Sequence, residues 1–546
     1  MIHANVLNLF DQTIQEAEVS IENGRIVSIV NKGKENTSLP YLLPGFVDAH
    51  VHIESSMLTP AQFARLAVVH GTVATVSDPH EIGNVLGVPG VEYMISDGKR
   101  TPFKFCFGAP SCVPATTFET AGAVIDSKDI RRLLGMKEIG YLAEMMNFPG
   151  VLHEDPDIMT KIRLAQAFNK PIDGHAPGLR GEAARQYAEA GMSTDHECFT
   201  YDEAREKIDY GMHILIREGS AARNFEALIP LLSEFPQRIM FCSDDKHPDN
   251  LVEGHINLLV KRALAKGHSL FNVLRAACLN PVLHYRLPVG LLREGDPADF
   301  IMVNNLTDFT VQQTYLNGQV VAENGKSLLP DLRSAHVNQF NCSPKVPADF
   351  KCVAPEGTSA VRVIEALEGQ LVTNALLEPV SPKQGTIQAD PTRDLLKITV
   401  VNRYQDSPPA VAFIRNFGLK SGAIASSMGH DSHNIVAVGC DDDSLCQAVN
   451  RLVEARGGVA AVGKGEQHLL PLPIAGLMTD QDGYEVSERY TSIDKFVKNR
   501  LGSTLQSPFM TLSFMALLVI PSLKLSDKGL FDGDQFQFVS VFGKIG

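Results

Sequence analysis

The chain has 546 residues, room for roughly three to four domains of ordinary size, which excludes a peptide hormone, a small disulfide module or a simple helical bundle. Its formal charge is −14, with 44% apolar and 21% charged residues. That balance is that of an ordinary globular protein and gives no reason to expect a nucleic-acid partner. The longest apolar stretch, Phe509 to Leu523, is interrupted by Thr511 and Ser513 and stopped by Pro521, so it reads as a buried core segment and no membrane partner is expected. The N-terminus shows neither a basic leader nor a small-residue cleavage site, and a cytoplasmic location is the expectation. Nine cysteines without a C-x-x-C spacing argue against a disulfide framework. Cys106, Cys112, Cys198, Cys242 and Cys278 read as small buried hydrophobes.

In chain order, residues 1–43 read as short antiparallel strands with a turn at Asn23-Gly24. From residue 46 to 266 strand and helix patterns alternate. The strand candidates are Phe46 to Ile53, Gly71 to Ser77, Phe103 to Phe107, Gly140 to Met145, Pro171 to His175, Met192 to His196, Met212 to Ile216 and Ile239 to Ser243. Helix patterns between them include Pro60 to His70, Asp157 to Asn169, Gly181 to Ala190, Ala222 to Phe235 and Leu251 to Lys266. Eight such pairs predict an α/β protein built on a parallel (β/α)₈ barrel. Strand texture returns after it, with a second turn at Asn317-Gly318. The expected organisation is a small β-sandwich built from both barrel flanks (1–43 plus 290–340), the barrel (44–289), a linker around Phe340 to Ser359, and a C-terminal α+β domain (360–546). In that last domain Leu445, Ala448, Val449, Leu452 and Val453 mark one amphipathic helix, opened by Asp441 to Asp443 and stopped by Gly457.

Active sites of such barrels lie at the C-terminal ends of the strands. The first strand carries His50 and His52, two apart and so on one face. The fourth ends at Glu144, the fifth at His175, the sixth at His196 and the eighth at Asp244. This set predicts two divalent cations bridged by Glu144, with His50, His52 and Asp244 on the first and His175 and His196 on the second, acidifying a shared water. Imidazole and carboxylate donors suit manganese, iron or zinc without choosing among them. Asp244 would be the proton acceptor, and Glu197 is a candidate acid. Asp78, His80 and Glu81 after the second strand, and Arg217, Glu218 and Ser220 after the seventh, are candidates for substrate contact. Glu54 reads as an orienting residue or a solvated one, and His430, Asp431 and His433 either reach over the barrel mouth or form a polar turn, the turn being favoured.

The motifs PGFVDAHVHIESSM, SDPHEIGNVLG, PSCVPA, LAEMMNFPGV, DGHAPGL, IREGSAARN and CSDD resemble those of the amidohydrolase superfamily and, within it, the bacterial adenine deaminase family. GHDSHNIVAVG, LPLPIAGLMT, LVIPSLKL and GLFDG extend the likeness to the last domain. The resemblance implies hydrolysis of adenine to hypoxanthine and ammonia and a pair of Mn²⁺ or Fe²⁺ ions. It places the metal ligands on His50, His52, Glu144, His175, His196 and Asp244. It also implies a homo-oligomer, a dimer being favoured. Glu144 stands where many relatives carry a carbamylated lysine, so no carbon dioxide is needed. The competing expectations are another amidohydrolase acting on a cyclic amide, and a non-catalytic assembly protein on the same scaffold.

Overall fold

The computed structural model describes residues 1–544. At its centre eight strands pair in parallel in chain order: Phe46–His52, Thr72–Ser77, Lys104–Ala109, Ile139–Met145, Ile172–Gly174, Thr194–Asp195, His213–Arg217 and Ile239–Cys242. Asp244 and Asp245 continue the eighth strand and pair with Val51 and His52, closing the ring. The first two strands are buried along their whole length, as expected where one face meets a packed interior and the other a layer of helices. The closing seam is also polar. Asp48 accepts from Ser243 N at 2.9 Å and faces His255 Nε2 at 2.7 Å, and His255 Nδ1 meets Thr72 Oγ1 at 2.7 Å.

Two of the expected helices are each divided. The pattern from Ala222 to Phe235 becomes Phe225–Leu228 and Leu231–Glu234, because Pro230 has no N–H to give and its ring crowds the preceding turn. The pattern from Leu251 to Lys266 breaks at Gly254 into Pro248–Glu253 and Ile256–Ala265.

Strands from both flanks of the barrel join in one eight-stranded sheet, in which Tyr41–Pro44 lies between Ile2–Asn8 and Phe300–Val303. Its hairpins turn at Asn23-Gly24 and Asn317-Gly318, all four residues at positive φ, the geometry that favours Asn-Gly in two-residue loops.

The last part of the chain is built on a mixed sheet whose neighbours run Thr373–Pro379, Ala360–Ala366, Ala410–Arg415, Leu396–Val401, Ile435–Gly439, Ala423–Ser426, Gly458–Gly463 and Glu466–Pro471. Helix Asp442–Ala455 packs Leu445, Val449 and Leu452 against it. Asp441 caps its start by accepting from Ser444 N, and at its end Arg456, not Gly457, takes the left-handed position at φ 58°. The Pro- and Ser-rich stretch before this sheet does not run free, since Phe340 and Phe350 are buried in the same core. Helix Pro508–Phe514 is fully buried. No helix among the described residues is long and apolar enough to cross a membrane.

Candidate metal centre

Period-two alternation puts Asp48, His50 and His52 on one side of the first strand. The imidazoles of His50 and His52 converge with their Nε2 atoms 3.1 Å apart. Each remaining donor is set by its own support. Tyr187 ties the fourth strand to the fifth, its hydroxyl donating to Met145 O (2.7 Å) and accepting from His175 N (3.0 Å). Lys207 lies buried behind the sixth strand and binds Asp195 (2.8 Å), Glu203 (2.9 Å) and Ala176 O (2.6 Å), which fixes the residue before His196. Asp244 sits at φ 53°. That left-handed conformation breaks the eighth strand and turns its carboxylate toward the histidines.

The six donors meet in one buried place. His52 Nε2 is 3.3 Å from Glu144 Oε1 and 3.2 Å from Asp244 Oδ1, while His50 Nε2 is 3.6 Å from Asp244 Oδ1. On the other side of Glu144, Oε2 is 2.6 Å from His175 Nδ1 and 3.2 Å from His196 Nε2. Donors sharing one ion at about 2.1 Å stand roughly 3.0–3.4 Å apart, so most of these spacings suit a bound cation better than a direct charge-assisted hydrogen bond. His50, His196 and Asp244, and likewise Glu144, His175 and His196, each bring three donor atoms within 4.8 Å of one another. Around the same space His80 Nδ1 and Nε2, His175 Nε2, Asp78 Oδ2, Glu81 Oε2 and Asp431 Oδ2 are buried without hydrogen-bond partners. Buried polar atoms are normally satisfied, so this cluster fits metal ions and a polar ligand.

The electrostatics agree with a ligand set. Burial would raise the Glu144 carboxyl, but the charge and hydrogen bond of His175 and the hydrogen bonds of His196 and His52 hold it well below the usual carboxylate range. Burial would also raise Asp244, and the Arg217 charge with the hydrogen bonds of His50 and His52 pulls it well below its ordinary value. Burial alone would lower His175, yet the Glu197 and Glu144 charges lift it to about 9.

The sequence-derived candidates around these ligands divide. Asp78, His80 and Glu81 all pack around the candidate ligands, though only His80 lines the cavity itself: His80 Nδ1 lies 3.3 Å from Asp78 and 3.4 Å from Glu144, and Glu81 Oε1 lies 3.2 Å from His430 Nδ1. His52, Asp78, His80 and Glu144 form a further group with metal-binding geometry. Glu54 is buried, accepts from Ile82 N at 3.2 Å, and is pushed by burial to about 7; it orients the helix that carries Glu81. Arg217 is not a free substrate contact. It forks onto Glu197, with Nη2 at 2.8 Å from Oε2 and Nη1 on Oε1, and Nη1 also reaches Asp244 Oδ2 at 2.5 Å. Glu218 and Ser220 do not line the site cavity. Glu218 pairs with Arg262, and the Ser220 hydroxyl is spent on Asn250 and His247 N.

The family profile for the amidohydrolase family matches residues 41–321, and that for the adenine deaminase C-terminal domain matches residues 370–537. An adenine deaminase from Salinibacter ruber is 55% identical over 542 residues, covering 99% of this chain and 98% of that one. One from Sulfurovum is 55% identical over 98% of each chain, and one from Borreliella burgdorferi 49% identical over 98% of this chain and 99% of that one. The chain belongs to the adenine deaminase family.

The part of the chain specific to that family also reaches the site. The cavity at the candidate metal ligands is lined by Leu371, His430, Asp431, Phe514 and Leu517 as well as by barrel residues. Asp431 Oδ1 faces His80 Nε2 at 3.6 Å, and the His430 ring stacks on Phe514 at 4.9 Å between centroids. The segment expected to be a polar turn is therefore a wall of the adenine deaminase site, and His433 is buried behind it. Asp245, beside Asp244, was not singled out by the sequence. It lines the cavity and is held by Ser55 Oγ at 2.5 Å.

Proposed function

We propose that this chain deaminates adenine by hydrolysis, giving hypoxanthine and ammonia. The observation that carries this reading is the joint construction of the cavity: five of the six candidate ligands line it from the barrel, and His430 and Asp431 come from the segment matching the adenine deaminase C-terminal domain. His50, His52 and Asp244 would hold one divalent cation, His175 and His196 a second, and Glu144 would reach both. Such cations, manganese or ferrous iron in our reading, make water acidic enough to attack C6 of the purine at neutral pH.

Asp244 is the proposed base. One of its oxygens is fixed by Arg217 and the other faces the histidines, so the second oxygen, which would also reach the cation, is placed to take the proton of the attacking water and pass it to the departing amino group. Attack at C6 also needs a proton or donor at the neighbouring ring nitrogen. Glu197 is ill suited to that task, since both its oxygens already accept from the Arg217 guanidinium, a bidentate arrangement that leaves neither turned toward a ring nitrogen. Glu81, with one buried oxygen unpartnered, takes the donor role in our proposal.

The test is metal content and adenine turnover on the same purified sample, before and after chelation and again after manganese is restored. Ammonia release from adenine that follows metal content supports the reading. Full turnover in metal-stripped protein, or ring opening of a dihydropyrimidine in place of ammonia release, would overturn it.

A further inference from the structure

The cavity at the metal-binding residues is narrow, ≈ 30 Å³, and the side chains around it are almost wholly buried. A purine must therefore reach it through an adjoining space. Such a space exists: a cavity of ≈ 720 Å³ lies between the loop after the third barrel strand and the C-terminal residues 519–536, a volume in the range of small-molecule sites. Met146 lines both cavities. We propose that the larger cavity is an antechamber that binds the purine base before it passes Met146, and through which hypoxanthine leaves.

The antechamber backs directly on the fourth strand. Ser111 Oγ donates to the carbonyl oxygen of Glu144 at 2.5 Å, and Cys112 Sγ stands 3.8 Å from Met145 Sδ. Its wall combines apolar surface for a planar ring, from Val113, Ile125, Phe148 and Val519, with the polar groups of Thr116 and Asn147. At the far end Val124 and Phe536 are 67% and 49% exposed, so the cavity meets solvent there.

Passage into the site requires a moving part, and the bodies on either side of the cavity are pinned. Thr120 N donates to Asp527 at 2.9 Å, Ser526 Oγ to Phe118 O at 3.0 Å, and Asn434 Nδ2 to Thr120 O at 2.9 Å. Separating them would break all three bonds. Met146 is only 4% exposed, but its side chain is unbranched with three rotatable bonds, so it can swing aside without moving the backbone. It is the gate.

This inference rests on adenine being the substrate. The holoenzyme is compared with Ala115→Trp and Val519→Trp, which fill the antechamber from opposite walls, and with Val519→Cys treated with a small methanethiosulfonate or a bulky maleimide. Blocking should lower kcat/KM for adenine by about tenfold or more, since a substrate cannot react faster than it arrives, with metal content unchanged. The bulky label should inhibit, the small one should not, and hypoxanthine should slow labelling. Unchanged kcat/KM in the Trp variants and in the maleimide-labelled protein would overturn the antechamber. Absence of adenine turnover in the parent would instead overturn the substrate reading.

Discussion

Arg217 binds the base candidate and a neighbouring carboxylate at once, which separates two roles that the same residue types could share. Asp244→Asn keeps the shape and an oxygen ligand but cannot take a proton, so kcat should fall by roughly 10²–10⁴ while most metal stays bound. Glu144→Gln removes the charge between the two histidine pairs, so metal per protein itself should fall. Metal analysis beside kcat for both variants distinguishes them, and a nearly active Asp244→Asn with normal metal would remove Asp244 as the base. A second expectation concerns protons. In the metal-free protein burial pushes His52 and His80 down, but neighbouring carboxylates lift both well above their ordinary value, and His175 rises to about 9. Raised pKa values mean that these imidazoles keep protons at neutral pH, and a cation must displace them. Manganese affinity should therefore rise with pH through 7–9, with protons released on binding. Calorimetric titration in two buffers of different protonation heat checks this, and binding without proton release would refute it.

At the scale of elements, strand Leu523–Ser526 carries a buried cation that braces the site from behind. Lys524 Nζ donates to Leu371 O at 2.6 Å and to Phe514 O at 3.0 Å, and both residues line the cavity. Lys524→Met should raise KM for adenine several-fold with metal content intact. Burial lowers this ammonium to about 7, below its unfolded value. Between pH 7 and roughly 10 the unfolded chain therefore holds a proton that the folded one has lost, and stability should climb with pH by at most about 1.4 kcal/mol per unit. The thermal midpoint of the parent, measured relative to Lys524→Met, should rise from pH 7 to pH 9; a flat difference would count against the shift. Elements were also where sequence patterns worked unevenly. Hydrophobic periodicity located the barrel strands because most carry a short buried run, such as Ile214 to Ile216 and Ile239 to Cys242, between helix patterns. It ran through Pro230 and Gly254, since apolar spacing does not register a missing N–H or a turn between two short helices.

For the whole molecule, truncation after Ser359 would remove His430, Asp431 and Phe514 from the cavity. Adenine turnover should then be lost, even in soluble protein that still binds metal at the barrel residues. A truncated barrel with parental kcat and KM would show that those residues do not serve the reaction. The same long-range packing explains what was legible. His50, His52, Glu144, His175, His196 and Asp244 could be found because strand ends point to one place in any such barrel. His430 and Asp431 lie far along the chain in a Gly-His-Asp-Ser-His run that has the composition of a turn. Only the docking of the last sheet over the barrel mouth sets them opposite His80 and Glu81. Glu218 and Ser220 show the converse: proximity in sequence to a strand end did not bring them into the cavity, because Glu218 is paired with Arg262 and the Ser220 hydroxyl with Asn250.

The seam where Asp48 meets Ser243 and His255 also orders events in time. A chain emerging from a ribosome presents His50 and His52 long before Asp244 exists, and the flank strands Ile2–Asn8 and Tyr41–Pro44 must wait for Phe300–Val303 and Val311–Leu316. At about 5–20 residues per second the wait from His50 to Asp244 is on the order of 10–40 s. During it the first two histidines are open imidazoles, without the carboxylates that would help to hold a cation. On the proposed function, a complete ligand set is thus a property of the closed barrel and not of its first strand.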